Sequence, residues 1–358
     1  MRIGIVSYWF NRGQGTVGRY IRSIFEDLGN DTFVLARPTL DRFDLPRFID
    51  TTDVWNQQGI TAASRYEIPL KEYTRWAKVN SLDVAFFDQN YQFKQIAKLR
   101  SKGIKTVGRF VWESFSEKHV KKAKGAFDII YSLTKCEQER YAEFGIDSPL
   151  IPWGCHPELN EICPEKLIDG IYFYYPGGYL SKRKPTRAVI QAFSQVKSPD
   201  IRLILKVQTP KRHDESIGDI RALDPRIKVI TADLPSNDHY NLFASCHVCL
   251  APSRWEGLGL HLYEAVSFAL PIITNDNPPM NEIVRDQYNG LLVSSHQIGI
   301  ASSGIPAYEP DTESLSRAIE VLSEPRTINE FSIKTMGMRS KALSWDKTIA
   351  GFQSLLYS

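Results

Sequence analysis

The stretch from Leu250 to Thr274 reads LAPSRWEGLGLHLYEAVSFALPIIT. The apolar run that ends near Ala251 predicts a buried strand, and the periodic apolar residues from about Leu260 to Ala269 predict a helix. A second apolar run begins at Pro271 and predicts the next strand. A strand, a helix and a strand in this order predict a parallel sheet that is buried on both faces.

The same alternation continues in both directions along the 358 residues, a length that exceeds one hydrophobic core. A polar segment near residues 157–169 interrupts it. We therefore predict an α/β protein with two doubly wound, Rossmann-like domains facing across a cleft, residues 1–160 and 161–335. Residues 336–358 are predicted to include a C-terminal helix that packs back on the first domain.

The composition is that of an ordinary globular protein, with 42% hydrophobic and 24% charged residues. A net charge of +3 is too small for bulk nucleic-acid binding, so any anion site is expected to be local. The apolar run at the start of the sequence is too short for the core of a signal peptide, and no later run approaches 18 apolar residues. A cytoplasmic protein is predicted.

Glycines and acids meet at the start of the predicted helix. Gly257 and Gly259 leave its free N–H groups open to a phosphate. Glu264, in the first turns, can accept hydrogen bonds from a pair of ribose hydroxyls, and Glu256 lies where a sugar beyond the phosphates would be. A glutamate near a helix N-terminus is favourable by itself, but that explains one of the two and not the pair.

A basic cluster, Lys182–Lys184, follows the predicted strand Phe173–Pro176. Without a ligand, the cluster would be a solvated helix start, yet cations are disfavoured at that end of a helix. An anionic ligand would resolve the conflict.

Several ordered segments resemble the donor-binding domain of the retaining family 4 glycosyltransferases (glycosyl transferases group 1, GT-B fold). The glutamate pair Glu256 and Glu264 is the most specific of these features. The likeness covers about Gly103–Val293, and the first hundred residues only loosely. The segments are Ile151–Gly154, Gly177–Pro185, Pro252–Gly259, Glu264–Ala265, Leu270–Thr274, Asn281–Val284 and Asn289–Val293.

The resemblance implies a retaining enzyme of polysaccharide or glycoconjugate biosynthesis. It would move a sugar from a UDP- or GDP-sugar to a saccharide, lipid-linked or small-molecule acceptor, without a metal ion. Glu256 would contact hydroxyls of the transferred sugar, and Glu264 the ribose. Gly257, Leu258 and Gly259 would contact the phosphates or sugar through their N–H groups.

Charge develops on the departing diphosphate, so fixed cations aimed there lower the barrier. Lys184 matches a lysine of the family that contacts the diphosphate. Gly178 lies in the segment Gly177–Pro185, the donor loop, at the position where the family has an arginine. Whether Arg183 compensates for the missing arginine is left open.

Gly13–Gly18 matches the G-x-G-x-x-G pattern, before a helix predicted over Val17–Leu28. An NADP-dependent oxidoreductase would use these glycines, with Arg37 on the 2′-phosphate. We favour a helix start that admits any phosphate or sugar, with Gly15 at the donor. The five residues Trp9–Gly13 come before the second glycine, where a dinucleotide-binding fingerprint has a tight turn.

The acceptor or sugar side is predicted to include Gln14, Trp112 and Glu113. Many family members carry a histidine near the last two positions, and relatives with an acid there exist. Trp112 also fits a place in the core. A non-catalytic subunit that only binds a nucleotide sugar is a further alternative, since Gly178 replaces the expected arginine.

No Asp-x-Asp pair of the kind that holds Mg²⁺ and no His-Glu-x-x-His occurs, so no metal and no cofactor besides the donor substrate is predicted. Cys246 and Cys249 have the spacing of a metal half-site but lie in an apolar run, which favours buried thiols. The basic stretch Lys118–Lys124 leaves open a weak peripheral contact with anionic lipid at the inner membrane face, although charge runs are usually solvated.

Overall fold

The computed structural model describes residues 1–39, 49–179, 182–208, 224–302 and 304–357. They divide into two compact units. The first comprises Met1–Pro152 and the C-terminal residues from Thr348, and the second comprises Trp153–Lys347.

The first unit is built on a six-stranded sheet in the order β3-β2-β1-β4-β5-β6, with every pair of neighbours parallel. Its central strands are buried because helices cover both faces. The strands are β1 (Arg2–Tyr8), β2 (Asp31–Arg37), β3 (Ile60–Ala62), β4 (Val84–Asp88), β5 (Lys105–Arg109) and β6 (Ile129–Ile130).

The helices of the first unit alternate with these strands. They are α1 (Gly13–Asp27), α2 (Leu70–Val79), α3 (Phe93–Arg100), α4 (Glu117–Ala126) and α5 (Lys135–Glu143), besides a short 3-10 helix, Asp53–Trp55. The predicted start of α1 at Val17 is wrong, since the helix begins at Gly13 and the glycine pattern forms its first turns rather than a loop.

The second unit repeats this topology. Its sheet has the order β12-β11-β10-β7-β8-β9, again parallel throughout, which is the same 3-2-1-4-5-6 arrangement as in the first unit. The strands are β7 (Ile171–Tyr179), β8 (Ile201–Gln208), β9 (Ile227–Ile230), β10 (Val248–Leu250), β11 (Ile272–Asn275) and β12 (Gly290–Val293). The predicted pair of doubly wound α/β sheets is confirmed.

The second unit adds an antiparallel hairpin to its helices. The hairpin joins β13 (Ser295–Ile300) and β14 (Pro306–Pro310). The described helices are α6 (Pro157–Asn160), α7 (Thr186–Gln195), α8 (Ser236–Ala244), α9 (Leu260–Ser267), α10 (Met280–Ile283), α11 (Thr312–Val321) and α12 (Pro325–Ser340).

The last helix, α13 (Trp345–Tyr357), belongs to the first unit from Thr348 onward. Phe352 is fully buried there, and its ring lies 5.8 Å from that of Phe25 and 5.5 Å from that of Tyr131. The observed boundaries differ from those expected at 160 and 335, since Trp153–Asn160 and residues 336–347 lie with the second unit. Cys155 N donates to Leu343 O at 2.9 Å and joins these two segments. No helix in the described parts of the chain is long and apolar enough to cross a membrane.

Candidate functional site

The candidate site lies at the carboxyl ends of β7 and β10, which are neighbours in the second sheet. The strand order reverses between these two strands, and ligands of doubly wound sheets bind at such a point. The segment 182–184 follows β7, and the loop 251–259 follows β10. The two segments meet through Lys184 on one side and Ser253 and Glu256 on the other.

Lys184 and Glu256 form a buried ion pair that joins these loops. Lys184 Nζ donates to Glu256 Oε1 at 2.5 Å and to Ser253 Oγ at 2.8 Å. Ser253 Oγ donates to the same carboxylate oxygen at 2.8 Å. The exposed fractions are 6% for Lys184, 4% for Glu256 and 0% for Ser253, so the pair is shielded from water.

Arg183 adds a second cation beside the same acid. Its Nη1 lies 3.8 Å from Glu256 Oε2, and its side chain is 35% exposed. Burial by itself would raise the pKa of Glu256, but Lys184 and then Arg183 hold that pKa far below its ordinary value. Burial lowers the pKa of Lys184, although Glu256 opposes the shift. One acid between two cations leaves a local surplus of positive charge.

Arg254 holds the backbone that carries these cations. Its Nη1 donates to Lys182 O at 2.7 Å and to Lys184 O at 3.3 Å. The other side of the guanidinium pairs with Glu309 on β14, through Nε and through Nη2 at 2.9 Å. The sequence pattern assigns Arg254 no role, because its partner Glu309 lies 55 residues further along the chain.

The start of α9 faces this cluster with glycine-rich backbone. Gly257, Leu258 and Gly259 are buried, and Gly259 has φ +74 and precedes the first helical residue. A Cβ at this φ would be strained and would lie 3.2 Å from Leu262 Cδ1. Glycine at position 259 therefore leaves the free N–H groups of the first turn without a Cβ beside them, as an anion site requires.

Two half-buried residues of α9, Glu264 and His261, complete the site. Burial raises the pKa of Glu264 to about 7. Burial, together with Lys184 and Arg183 and against Glu256, lowers the pKa of His261 to about 3. The imidazole is therefore neutral at pH 7, and its buried Nε2 has no hydrogen-bond partner in the described part of the chain. The sequence pattern assigns His261 no role.

Gly178 lies at the end of β7, where the register with β8 shifts between Pro176 and Gly178. It has φ +54 and is exposed, and a Cβ would meet nothing within 4 Å. The backbone conformation, rather than lack of room, favours glycine here. Leu180 and Ser181, in the same predicted donor loop, lie outside the described residues.

In the first unit, Gly15 and Gly18 let α1 pack closely on β1. A Cβ at Gly15 would lie 2.3 Å from Phe10 O, and one at Gly18 would lie 2.7 Å from Ser7 Oγ. Gln14 Nε2 donates to Asp88 O at 2.9 Å. Packing thus accounts for both glycines without a bound dinucleotide.

Arg37, the residue that the oxidoreductase alternative requires, is 1% exposed. Its Nε donates to Tyr66 O at 3.1 Å, and its guanidinium lies 3.9 Å from the centroid of the Tyr66 ring. Of the remaining candidates after β5, Trp112 is 6% exposed and Glu113 is half-buried, and both lie in a turn of the first unit. The burial of Trp112 fits a place in the core.

A buried ion cluster also lies at the carboxyl ends of β4 and β5. Arg109 Nε donates to Glu137 Oε2 at 3.0 Å, and Arg109 Nη1 lies 3.4 Å from Asp88 Oδ1. The exposed fractions are 2% for Arg109, 5% for Asp88 and 0% for Glu137. Burial raises the pKa of Asp88 and of Glu137, although Arg109 opposes both shifts. Arg109 lies between the two acids, and the buried Arg37 also lowers the pKa of Asp88.

The cysteines do not form a metal half-site with their surroundings. Cys246 and Cys249 are free and fully buried, and Cys246 Sγ donates to Leu242 O at 3.3 Å. Among the described residues, no three His, Cys, Asp or Glu side chains are grouped as metal ligands. The expectation that the reaction uses no metal stays a prediction.

Residues 170–321 match the family model of glycosyl transferases group 1. None of the curated proteins matches the chain closely enough to count as a sequence relative. Among solved structures, the whole chain is similar to sucrose-phosphate synthase from Thermosynechococcus elongatus, with a TM-score of 0.76 and 15% identity over 98% of that chain.

Two further structures resemble this chain over its full length. One is Anabaena HepE in complex with UDP and glucose, with a TM-score of 0.75 and 13% identity over 99% of that chain. The other is the pneumococcal O-GlcNAc transferase GtfA in complex with UDP and GlcNAc, with a TM-score of 0.72 and 12% identity over 98% of that chain. The predicted resemblance to group 1 glycosyltransferases and the GT-B fold are confirmed, while family 4 and retention of configuration stay predictions.

Proposed function

We propose that the chain is a retaining glycosyltransferase of family 4 that moves a sugar from a UDP- or GDP-sugar to a saccharide, lipid-linked or small-molecule acceptor, without a metal ion. The observation that carries the proposal is the buried pair of Lys184 and Glu256, with Arg183 3.8 Å from the same carboxylate. Its surplus positive charge lies beside the glycine-rich start of α9. Such a place suits a diphosphate.

Each part of the donor then has a partner. Lys184 and Arg183 neutralise the diphosphate, together with the N–H groups of Gly257, Leu258 and Gly259. Glu256 accepts from hydroxyls of the transferred sugar, and Glu264 accepts from the ribose hydroxyls. Two cations and a helix N-terminus take the place that Mg²⁺ has in other sugar transferases.

The reaction breaks the bond between the anomeric carbon and the leaving phosphate oxygen and forms a bond from that carbon to the acceptor oxygen. In a front-face displacement, the acceptor's proton goes to the leaving phosphate oxygen, so no protein base is required. Lys184 and Arg183 stabilise the negative charge that develops on the diphosphate. Gly15, Gly178, Gln14, Trp112 and Glu113 remain proposals for the donor and acceptor sides.

The proposal includes action in the cytoplasm. If the acceptor is a lipid-linked sugar, the exposed lysines of α4, such as Lys118 and Lys122, are the proposed contact with anionic headgroups at the inner membrane face. The association would be weak, because α4 exposes few large apolar residues.

Binding and hydrolysis of the donor test the proposal. We expect UDP or GDP to raise the melting temperature and the matching nucleotide sugar to be slowly hydrolysed in the presence of EDTA. Glu256→Gln and Lys184→Met should each lower hydrolysis by about 100-fold or more, the scale of a lost transition-state contact. The matched controls, Glu313→Gln on α11 and Lys228→Met on β9, change exposed side chains and should keep wild-type rates.

Other outcomes would favour the alternatives. Stabilisation by NADP and not by UDP or GDP would support the oxidoreductase. Binding of the nucleotide sugar with no hydrolysis and no transfer would support a non-catalytic subunit. An inverted product, identified by NMR of its anomeric proton, would contradict the retaining assignment.

A further inference from the structure

His261 is the one site residue of α9 whose chemistry is unused by the function proposed above. It is the second residue of the helix, directly after Gly259 and Leu260. Its Nε2 atom is buried and has no hydrogen-bond partner among the described residues. A buried nitrogen left unpaired is destabilising, so a ligand atom is the expected partner.

The position of His261 along the helix indicates which part of the donor it meets. His261 and Glu264 are three residues apart and therefore lie on the same face of α9. His261 also lies close enough to Glu256, in the loop before α9, for each to shift the pKa of the other. Along the chain it therefore lies between the acid assigned to the sugar and the acid assigned to the ribose. In a nucleotide sugar, the diphosphate connects these two groups.

The surroundings also keep the ring singly protonated. At neutral pH the imidazole is neutral, with one nitrogen as donor and the other as acceptor. A bare Nε2 would point a lone pair at a phosphate oxygen, whereas an Nε2–H group would donate to it. Burial first, and then the charges of Lys184 and Arg183, lower the pKa of the ring and disfavour a doubly protonated imidazole.

We propose, resting on the glycosyltransferase function above, that His261 Nε2–H donates a hydrogen bond to the diphosphate of the nucleotide sugar. It thereby adds a leaving-group contact from α9, in a chain that has glycine at position 178, where the family that it resembles has an arginine. Gly178 offers no side chain, and its φ of +54 disfavours one. The groups that hold the leaving diphosphate are therefore Lys184, Arg183, the N-terminus of α9 and the neutral His261.

Two substitutions separate this contact from a packing role. His261→Gln places an amide N–H near the original Nε2, whereas His261→Leu keeps bulk without any donor. We expect the leucine variant to bind UDP or GDP, whichever the wild type binds, about 10- to 100-fold more weakly. The glutamine variant should stay within about threefold of wild type. His296→Leu, at an exposed histidine of β13, is the matched control.

Nitrogen-15 NMR of the imidazoles gives a readout that packing alone would not change. Adding the nucleoside diphosphate should shift a protonated Nε2 signal that is missing in His261→Leu, and adding the nucleoside without phosphates should leave that signal in place. Equal affinity of the leucine variant and wild type, a glutamine variant as weak as the leucine one, or an Nδ1–H tautomer in the complex would each overturn the contact.

Failure of this inference is distinguishable from failure of the proposed function. If wild type binds neither UDP nor GDP, the function itself is wrong. If wild type binds and hydrolyses the donor while His261→Leu does so equally well, only the role of His261 is wrong. Should the leucine variant not fold, the NMR titration of wild type and of His261→Gln still decides the question.

Discussion

The two units place buried charges at equivalent ends of their sheets, but with opposite arrangements. In the first unit Arg109 lies between Asp88 and Glu137, one cation between two acids. In the second unit Glu256 lies between Lys184 and Arg183, one acid between two cations. The pKa of the acids is raised in the first cluster and lowered in the second.

The difference shows that burial of an ion pair does not by itself identify a ligand site. The first cluster is tied to regular structure, because Leu133 N donates to Glu137 Oε2 at 2.7 Å at the start of α5. The second cluster is carried by loops, next to the glycine backbone at the start of α9. Unpaired buried atoms do not separate the two clusters, since Arg109 Nη2 and Glu137 Oε1 lack a partner among the described residues just as His261 Nε2 does. Two cations around one acid at a helix N-terminus favour an anion, whereas two acids around one cation do not.

The largest expected effect comes from removing the cation of the first cluster. Arg109→Met leaves two buried acids without their cation, and we expect a loss of about 3–5 kcal/mol in the free energy of unfolding at pH 7. Folding then favours protonated acids, so part of the loss should be recovered at pH 5. Urea unfolding at both pH values measures it.

Arg100→Met is the matched control for this change. Arg100 pairs with Asp128, and their side chains are 40% and 32% exposed, so this loss should stay below about 1 kcal/mol. Equal costs at positions 100 and 109 would contradict the role assigned to the first cluster.

A smaller expected effect is the pH dependence of stability and ligand binding at the second site. Burial raises the pKa of Glu264 to about 7, so the folded protein binds a proton there that the unfolded chain has already lost. Stability should therefore fall as pH rises from about 5 to 8, and ribose hydroxyls, which prefer the charged carboxylate, should bind more tightly over the same range. We expect about a tenfold gain in affinity for the nucleoside diphosphate between pH 6 and 8, measured by calorimetry.

Glu264→Gln is the control that separates this gain from titration of the ligand's own phosphate. The variant should show only the ligand's part of the pH dependence. An unchanged pH profile in Glu264→Gln would show that this carboxylate does not bind the ribose.

The smallest expected effect concerns Arg254, which holds the backbone of Lys182 and Lys184. Arg254→Lys keeps the charge but loses the fork that holds Glu309 and the carbonyls of Lys182 and Lys184. We expect KM for the nucleotide sugar to rise about threefold to tenfold with little change in kcat. Arg317→Lys on α11 is the control. A lower melting temperature of Arg254→Lys with an unchanged KM would show that Arg254 stabilises the fold and does not position the cations.

The fold and part of the site followed from local patterns. Apolar runs alternating with amphipathic stretches predicted both parallel sheets, since burial on two faces requires this pattern. The spacing of Glu256, Gly257, Gly259 and Glu264 also placed these residues around one helix start. The start of α1 was mispredicted, because close packing against Phe10 and Ser7, rather than a loop, requires Gly15 and Gly18.

The sequence by itself determined the two doubly wound sheets and the candidates Lys184, Glu256 and Glu264, because periodicity and turn chemistry act between near neighbours. Only the tertiary structure decided that Lys184 and Glu256 pair across 72 residues, that Arg254 joins two loops to a hairpin, and that His261 keeps a buried nitrogen unpaired. These features depend on which distant segments share a sheet edge, and on how far burial there strengthens each charge.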